Sequence, residues 1–495
     1  MIDPLIIIFL SSGLFLGWSL GANDAANVFG TAVGSRMVNF STAAIICGIF
    51  VVLGAFISGT GASQTLGRLG SVNALGGSFI AALSAGVTVY WMTKLGLPVS
   101  TSQTIIGSIV GWNIFSDSHT DISSLIEIVS TWIICPLLSA CIAALLFILV
   151  KIVLRKISIG LIRFDGYTRL ALILAGAFGA YSLGANNISN VVGVFLPVAP
   201  FSEINFGWEY SISSAQQLFL LGGIAIAIGV FTYSKRVMMT VGTELMTLTP
   251  LAAWVAVMSH SIVLFLFASE ELEGFLANHS LPTIPLVPVS SSQAVVGAVI
   301  GIGMLQGGRE IQWSRVYSIV RGWTISPLLS CLICFIGLYF MQNVFQQKVK
   351  NQSIYLISDG VIEKLKKEGV DLTSIKDING TVFKSSAEVV RSINSKVNLT
   401  NEQKRVIVKN SLQKKLFVTT KNLELINKKV LSKSQYDALR QLEGQSFDHV
   451  WELREALAEK SSEWFLKGGV KNKLYDREIK QKLENIYRIL ERRRL

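Results

Sequence analysis

Residues Ser19–Gly30 read SLGANDAANVFG, and residues Ser182–Gly193 read SLGANNISNVVG. Two more matched pairs follow in the same order: PVSTSQTIIGSIVG (Pro98–Gly111) with PVSSSQAVVGAVIG (Pro288–Gly301), and WIICPLLSA (Trp132–Ala140) with WTISPLLSC (Trp323–Cys331). Three pairs in one order indicate an internal duplication. The sequence therefore predicts a first repeat at about 1–155, a linker at 156–166, a second repeat at 167–345 and a separate tail at 346–495.

Long apolar runs recur through both repeats. A helix of about 20 apolar residues crosses the 30 Å hydrocarbon core of a bilayer, and the clearest runs are Leu5–Leu20, Ala43–Ser58, Ile126–Val150, Leu218–Tyr233 and Ile325–Met341. The chain is 51% hydrophobic and only 15% charged, against about a quarter charged in a typical soluble domain. This composition indicates a multi-pass membrane protein and argues against an ordinary soluble enzyme. No enzymatic activity is expected.

The charges of the loops predict how the repeats are oriented. Short cytoplasmic loops concentrate Lys and Arg, which places 151–169 and 309–321 inside. The loops at 117–124, 197–213 and 270–280 contain acidic residues and no Lys or Arg, which places them outside. Threading the chain through these positions gives five crossings per half, so the repeats run in opposite directions. The expected fold is an all-α polytopic membrane protein with two inverted-topology repeats, broken or re-entrant helices and about 10–12 transmembrane segments.

The PVS motifs predict an anion site. In each motif a proline and several hydroxyl residues precede an apolar helix, a pattern typical of a helix N-terminus. A half-helix that begins at membrane depth presents unpaired N–H groups and the positive end of its dipole. Two such ends suit a tetrahedral oxyanion, with side-chain donors from Ser102, Gln103, Thr104, Ser291, Ser292 and Gln293. The alternative is helix packing, which small residues and hydroxyls also mediate.

The SLGAN motifs predict a break in each apolar helix and a cation site beside the anion. Asp24 is a carboxylate in an apolar setting, which is costly unless it serves a function. It is the candidate ligand of a coupling cation, and Asn23, Asn186 and Asn187 offer neutral oxygen atoms. Asparagine pairs that only join helices are the alternative. Metal-ligand spacing is missing among the four histidines, so no metal or other cofactor is expected besides Na⁺ or H⁺.

These motifs, together with KRVMMTVGTELMTLTP at Lys235–Pro250, resemble the inorganic phosphate transporter family of sodium- or proton-coupled symporters. The resemblance implies alternating-access symport of inorganic phosphate across the plasma (inner) membrane. It also implies that Asn23 and Asn186 serve the substrate as well as the cation. Many members have histidines in place of Gln103 and Gln293. Many also have an aspartate where Asn187 stands and glutamates in the segments that match 43–58 and 251–268, which this chain lacks. Because it has fewer intramembrane carboxylates, the coupling ion stays open between Na⁺ and H⁺. A sulfate permease of the same fold and an anion-sensing membrane receptor are the alternatives.

The tail, 346–495, differs in composition from the repeats. The repeats contain equal numbers of acidic and basic residues, so the net charge of +12 lies entirely in the tail. Trp451, Leu453, Leu457, Trp464 and Phe465 suggest a small apolar core. The sequence predicts a basic, mostly helical soluble domain, and the count of crossings places it outside the cytoplasm. Nothing indicates nucleic-acid binding, and homo-oligomerisation is left open.

Overall fold

A computed structural model describes residues 4–70, 72–95, 99–157, 160–199, 201, 204–205, 211–244, 246–370, 372, 378–428, 430–469 and 472–491. The chain divides into two compact units. Unit 1 comprises Met1–Ser116, Ser124–Glu270 and Ile284–Asn351, and unit 2 comprises Asp117–Ser123, Glu271–Thr283 and Gln352–Leu495.

The helices before the tail are α1 (Pro4–Gly34), α2 (Phe40–Ser58), α3 (Thr60–Leu69), α4 (Leu75–Lys94), α5 (Thr101–Ser116), α6 (Ile122–Lys156), α7 (Leu161–Val192), α8 (Ser214–Glu244), α9 (Pro250–Leu266), α10 (Glu270–Asn278), α11 (Ser291–Leu305) and α12 (Trp313–Asn343). A 3₁₀ turn at Gly193–Val198 follows α7, and β1 (Ile204–Asn205) pairs antiparallel with β2 (Ser211–Ile212). Since α7 begins at Leu161, part of the predicted 156–166 linker is helical.

The prediction of an all-α polytopic membrane protein is confirmed. In the described part of the chain seven helices are long and apolar enough to cross a bilayer, or eight if α9 and α10, bent by 68°, form one span. This is fewer than the predicted 10–12 segments, because α5 and α11 are too short to count as spans: 16 and 15 residues at 1.5 Å per residue fall short of 30 Å. They have the length of re-entrant half-helices.

The predicted breaks in the SLGAN helices are wrong. Both α1 and α7 continue through their motifs without interruption. Glycine and asparagine are tolerated inside a helix when packing and hydrogen bonds compensate their low propensity. Here the two motif glycines serve packing, since a Cβ on Gly21 would overlap the Ile226 carbonyl and a Cβ on Gly184 would overlap the Val51 carbonyl.

The two repeats pack through reciprocal contacts. Helix α1 packs on α8 and α2 packs on α7, so the first helix of each repeat meets the second helix of the other. The short helices follow the same rule: a Cβ on Gly107 of α5 would overlap the Pro327 carbonyl of α12, and a Cβ on Gly297 of α11 would overlap the Pro136 carbonyl of α6. These glycines stand at matching positions of the PVS motifs. Such pairing is the packing that a duplicated, pseudo-symmetric chain produces.

The core of unit 1 surrounds the motif helices. In the spanning windows of α1 and α7, 61% of residues are buried, whereas only 22% are buried in α6 and α12. The exposed Ile and Leu side chains of α6, such as Ile133 and Leu137, suit contact with lipid, where an apolar surface costs nothing. The motif helices therefore lie inside the bundle, and α6 and α12 lie at its edge.

Unit 2 contains most of the tail, with short helices and small antiparallel sheets. Its elements are β3 (Ile354–Ile357), α13 (Asp359–Lys367), β4 (Thr381–Phe383), α14 (Ser386–Asn394), α15 (Asn401–Ser411), β5 (Leu412–Gln413), β6 (Leu416–Phe417), α16 (Thr420–Glu424), α17 (Lys433–Gln441), β7 (Ser446–Phe447), α18 (Val450–Lys460) and α19 (Lys473–Leu490). The central strand β3 pairs Tyr355 with Phe383 and Ile354 with Gln413. The sequence analysis missed these strands, which are too short to show a periodic pattern.

Two apolar clusters form the core of unit 2. One includes Ile357, Val361 and Ile407 and the other includes Leu453, Leu457 and Trp464, all fully buried. Leu453, Leu457 and Trp464 thus lie in the core as predicted, whereas Phe465 is 60% exposed.

Unit 2 also includes two short connecting segments from the repeats: 117–123, and 271–283, which contains most of α10. Arg477 Nη2 of α19 lies 2.6 Å from Glu273 Oε2, and Arg391 Nη2 of α14 lies 2.8 Å from Asp117 Oδ2. The Arg477–Glu273 pair is largely buried, and its opposite charges compensate each other's desolvation. The tail is therefore tied by charge to one connecting segment of each repeat.

Candidate functional site

The starts of the half-helices α5 and α11 are built alike. Gln103 donates its backbone N–H to Ser100 Oγ (3.2 Å), and Gln293 donates its own to Ser290 Oγ (3.3 Å). Each serine is thus an N-cap that satisfies one of the free N–H groups of a helix start. Ser100 and Ser290 were not among the predicted site residues, although a serine three positions before a helical glutamine is a recognisable cap signal. Pro98, the first residue of one motif, lies outside the described residues.

In each repeat, the asparagine that lies one helical turn after the asparagine of SLGAN reaches across to the other repeat. Asn190 Nδ2 of α7 donates to Ser102 Oγ of α5 (2.8 Å), and Asn27 Nδ2 of α1 donates to Ser291 Oγ of α11 (3.0 Å). All four residues are buried. Ser102 in turn donates to the Val289 carbonyl, 3.1 Å away, just before α11. The start of each half-helix is therefore hydrogen-bonded to the other repeat, and the Ser102–Val289 bond links the two starts.

Asn23 and Asn186 hold the extended segments that lead into the half-helices. Asn23 Nδ2 donates to the Val99 carbonyl (3.1 Å). Asn186 Oδ1 accepts the N–H of Val289 (3.0 Å), and its Nδ2 donates to the Val287 carbonyl (3.3 Å). Both polar ends of the Asn186 amide are thus occupied by backbone. The two asparagines thus hold the backbone that leads into the half-helices, and their role as ligands stays a prediction.

Asp24 is the charged residue of the site. It is 2% exposed, and Asn23 Nδ2, 2.7 Å from Oδ1, is its hydrogen-bond partner. Within the part of the chain that the structure describes, no Lys or Arg forms an ion pair with Asp24. A buried carboxylate without a protein counter-charge favours binding of a cation or a proton. Its counterpart Asn187 accepts from Asn190 through Oδ1 (3.0 Å) and leaves Nδ2 without a partner among the described residues.

The predicted donors differ in whether they are free. Thr104 Oγ1 donates to the Ser100 carbonyl of its own turn (2.7 Å), and Ser292 Oγ lies 3.1 Å from Ser290 Oγ, so both hydroxyls already have partners. Gln103 and Gln293 are each 2% exposed, and the Oε1 atom of each has no hydrogen-bond partner in the described structure. Buried amide groups without a partner are rare. Among the predicted anion-binding side chains, these two glutamines therefore each keep an acceptor atom that no described residue uses.

His260 of α9 was missed by the sequence analysis. It is fully buried, and its Nε2 lies 2.9 Å from Ser291 Oγ. Its other ring nitrogen, Nδ1, is buried and has no partner among the described residues. The signal that could have found it was its place in an apolar helix, since an ionisable side chain there is a functional candidate. The search for metal-ligand spacing passed over this single histidine.

The kinds of polar group at the site limit which ligands it can hold. Across the described residues no group of three His, Cys, Asp or Glu side chains is placed to hold a metal ion. The side chains at 240–245, in the motif Lys235–Pro250, lie outside the described part and are not assigned. The described site offers neutral amides, hydroxyls, two helix N-termini and one carboxylate. Such a set can hold an oxyanion by neutral donors and a monovalent cation or proton by Asp24.

The chain is similar in sequence to known proteins. A model of the phosphate transporter family matches residues 20–166, 161–272 and 280–489. A protein of Pyrococcus abyssi, provisionally named a phosphate permease, is 27% identical over 412 residues, which cover 67% of this chain and 96% of the relative. One from Methanocaldococcus jannaschii with a similar name is 27% identical over 323 residues, covering 65% and 93%.

A solved structure described as the sodium-dependent phosphate transporter shares the fold. It superposes with a TM-score of 0.55 at 23% identity and covers 69% of this chain and 99% of its own. The family model matches most of the chain, including every motif of the site. The chain belongs to the phosphate transporter family.

Proposed function

We propose that this chain carries inorganic phosphate across the plasma (inner) membrane as a secondary active symporter driven by Na⁺ or H⁺. The observation that supports this most is the reciprocal pair of hydrogen bonds Asn190–Ser102 and Asn27–Ser291, which joins two capped half-helix starts inside the bundle. Helices that begin at membrane depth and meet at a repeat interface are the usual substrate site of secondary transporters.

Neutral groups bind the anion in this proposal. The helix starts contribute free N–H groups and dipole ends, and Gln103 and Gln293 contribute their amides. The described site contains no Arg or Lys clamp, so the anion is held by donors of moderate strength. Moderate affinity suits a carrier, which must release its substrate on the other side.

Asp24 binds the coupling cation in this proposal. A phosphate anion in an apolar bundle is costly unless a positive charge accompanies it. Asp24 lies on α1 one helical turn before Asn27, and Asn27 donates a hydrogen bond to Ser291 at the start of α11. A cation or proton on Asp24 would lower the cost of bringing in the anion, so the two ligands would bind more tightly together than apart.

Phosphate is preferred over sulfate because of the two glutamine oxygens. Gln103 Oε1 and Gln293 Oε1 are unpartnered acceptors in the described structure. Near neutral pH phosphate retains at least one P–OH group, which can donate a hydrogen bond to such an acceptor. Sulfate retains no such group. A sulfate permease would leave these two acceptors unsatisfied.

Substrate counterflow tests the transport proposal. Proteoliposomes containing the purified chain are loaded with phosphate, sulfate or arsenate, and labelled phosphate is added outside with a Na⁺ or a pH gradient. We expect labelled phosphate to accumulate transiently in phosphate-loaded vesicles and to accumulate little in sulfate-loaded vesicles. One of the two gradients should increase uptake. Binding without exchange would instead identify an anion-sensing receptor, and stronger exchange with sulfate would identify a sulfate permease.

Thiol labelling tests the proposed sides of the membrane. We place the tail and the loop 117–123 outside, because unit 2 contains both, and the end of α6 inside. In a variant with the exposed Cys141 replaced by serine, Ser118→Cys and Lys433→Cys are expected to react with an impermeant reagent added to intact cells, and Lys156→Cys only after permeabilisation. Labelling of Lys156→Cys in intact cells would reverse the assignment.

A further inference from the structure

His260 belongs to a three-residue chain of hydrogen bonds that joins three helices. Its Nε2 lies 2.9 Å from Ser291 Oγ, and the same oxygen receives Asn27 Nδ2 over 3.0 Å. His260 lies on α9, Ser291 begins α11 and Asn27 lies on α1. All three side chains are at most 3% exposed. The two hydrogen bonds thus meet at Ser291, the first residue of the half-helix α11, which the anion site uses.

The hydroxyl of Ser291 has one proton and two lone pairs. Asn27 occupies one lone pair as a donor. The contact with His260 then has two forms, since the ring tautomer sets the direction of the bond. Either Ser291 donates its proton to an unprotonated Nε2, or a protonated Nε2 donates to the second lone pair of Ser291.

The environment of the other ring nitrogen favours the second form. Nδ1 is buried without a partner in the described structure. If Ser291 donated to Nε2, the neutral ring would have its proton on Nδ1 as a buried N–H without an acceptor. Among backbone groups, orphaned buried N–H donors are rarer than under-satisfied acceptors. The same preference, applied to the ring, puts the proton on Nε2. Both lone pairs of Ser291 are then filled.

We infer that His260 is a positioning residue that makes Ser291 an obligatory donor to the anion. With Asn27 and His260 both donating to its oxygen, the Ser291 hydroxyl has a proton to give and no acceptor for it among the described residues. At the first residue of α11 the acceptor is the substrate oxyanion. This inference rests on the proposed function and names a residue that the motifs of the chain do not contain.

Equilibrium binding of inorganic phosphate to the purified full-length chain tests the inference. The variants are His260→Leu, Ser291→Ala, the double variant His260→Leu with Ser291→Ala, and His260→Gln, which keeps an N–H donor near the position of Nε2. His279→Leu is the matched control, because His279 is exposed. Gel filtration and melting temperature confirm that each variant is folded, and uptake kinetics give KM and kcat separately.

We expect His260→Leu and Ser291→Ala each to weaken phosphate binding by about tenfold, the effect of losing one hydrogen bond to an ionised group. Because the two residues act as one unit, the double variant should bind no more weakly than either single variant. His260→Gln should stay within about threefold of the wild type, and the losses should appear in KM more than in kcat.

Three results would overturn the inference while the proposed function stands: wild-type affinity in His260→Leu, multiplying losses in the double variant, or a loss in His260→Gln equal to that in His260→Leu. A merely structural histidine would give the last of these, with a lowered melting temperature. A wild-type chain that binds no phosphate would instead overturn the proposed function, and the inference with it.

Discussion

Asn190 on α7 donates a hydrogen bond to Ser102 Oγ on α5 over 2.8 Å, so the SLGAN motif of the second repeat holds the half-helix of the first. The reciprocal bond, Asn27 to Ser291, is displaced by one residue, since the position that matches Ser102 is Ser292. The displacement accompanies His260, which bonds the same serine. The two halves of the site therefore share the same arrangement of asparagine and serine, but they differ in which serine accepts the bond and in the contact with His260.

The Asn190–Ser102 bond should be measurable as a coupling. Asn190→Ala and Ser102→Ala are each expected to lower the melting temperature of the purified chain, and the double variant should fall no further than the worse single variant. Residues that share a buried hydrogen bond typically show coupling energies of about 0.5–3 kcal/mol. Asn343→Ala, on an exposed residue of α12, is the control. Simple addition of the two effects would show that the bond contributes nothing to stability.

The close contact of α11 with α6 should tolerate no side chain at Gly297. A Cβ there would overlap the Pro136 carbonyl oxygen, so Gly297→Val is expected to destabilise the protein by about 1–3 kcal/mol or to prevent its accumulation. Gly67→Ala is the matched control, since a Cβ at Gly67 meets no atom within 4 Å. Expression yield and melting temperature are the measurements, and wild-type values for Gly297→Val would refute the tight packing.

Asp24→Asn should separate coupling from anion binding. The substitution removes the buried charge and makes the first SLGAN motif resemble the second. We expect gradient-driven accumulation of phosphate to be lost, while phosphate binding persists at reduced affinity because the anion is held by neutral groups. Any increase of phosphate affinity with Na⁺, or its counterpart with pH, should also disappear from the variant.

The control for Asp24→Asn is Asp165→Asn. Asp165 is about half exposed and pairs with Arg169 at 3.4 Å, a surface pair of little energetic weight, so this variant should accumulate phosphate normally. Concentrative uptake by Asp24→Asn at the wild-type level would exclude the residue as the coupling site.

The buried ion pair Arg477–Glu273 should hold the tail to the segment 271–283. Arg477→Glu is expected to destabilise that attachment by about 3 kcal/mol or more. It puts two negative charges side by side at positions whose side chains are 13% and 5% exposed. Limited proteolysis should then cut the tail faster. Arg477→Glu combined with Glu273→Arg should restore resistance to the protease. Arg169→Glu, which changes an exposed pair, should be cut at the same rate as the wild type. Equal rates for all variants would contradict the role of the pair.

The sequence predicted the fold better than the site. Apolar runs and repeated motifs report directly on spanning helices and duplication, so the membrane fold and the two half-helix starts were predictable. The supposed breaks at SLGAN were not found, because Gly21 and Gly184 serve close packing against carbonyls of neighbouring helices. Local composition cannot distinguish a glycine that breaks a helix from one that lets another helix approach.

Within the site, residue type was predictable but partners were not. Thr104 looked like a donor to substrate, yet its hydroxyl bonds its own helix, as threonine often does. Asn186 looked like a ligand, yet backbone occupies both ends of its amide. His260 became a candidate only when the packing of α9 on α11 brought it to Ser291. Contacts between distant segments decide these roles, and no single motif contains them.

The paired glutamines give the most direct test of the phosphate site. The measurement is the dissociation constant of inorganic phosphate for the purified chain, its Gln103→Leu and Gln293→Leu variants, and the exposed control Gln342→Leu, by isothermal titration calorimetry. We expect the wild type and the control to bind phosphate, each single variant to bind it about tenfold more weakly, and the double variant to show no measurable binding, with all proteins folded. Unchanged affinity in the double variant would show that phosphate is not held between the two half-helices.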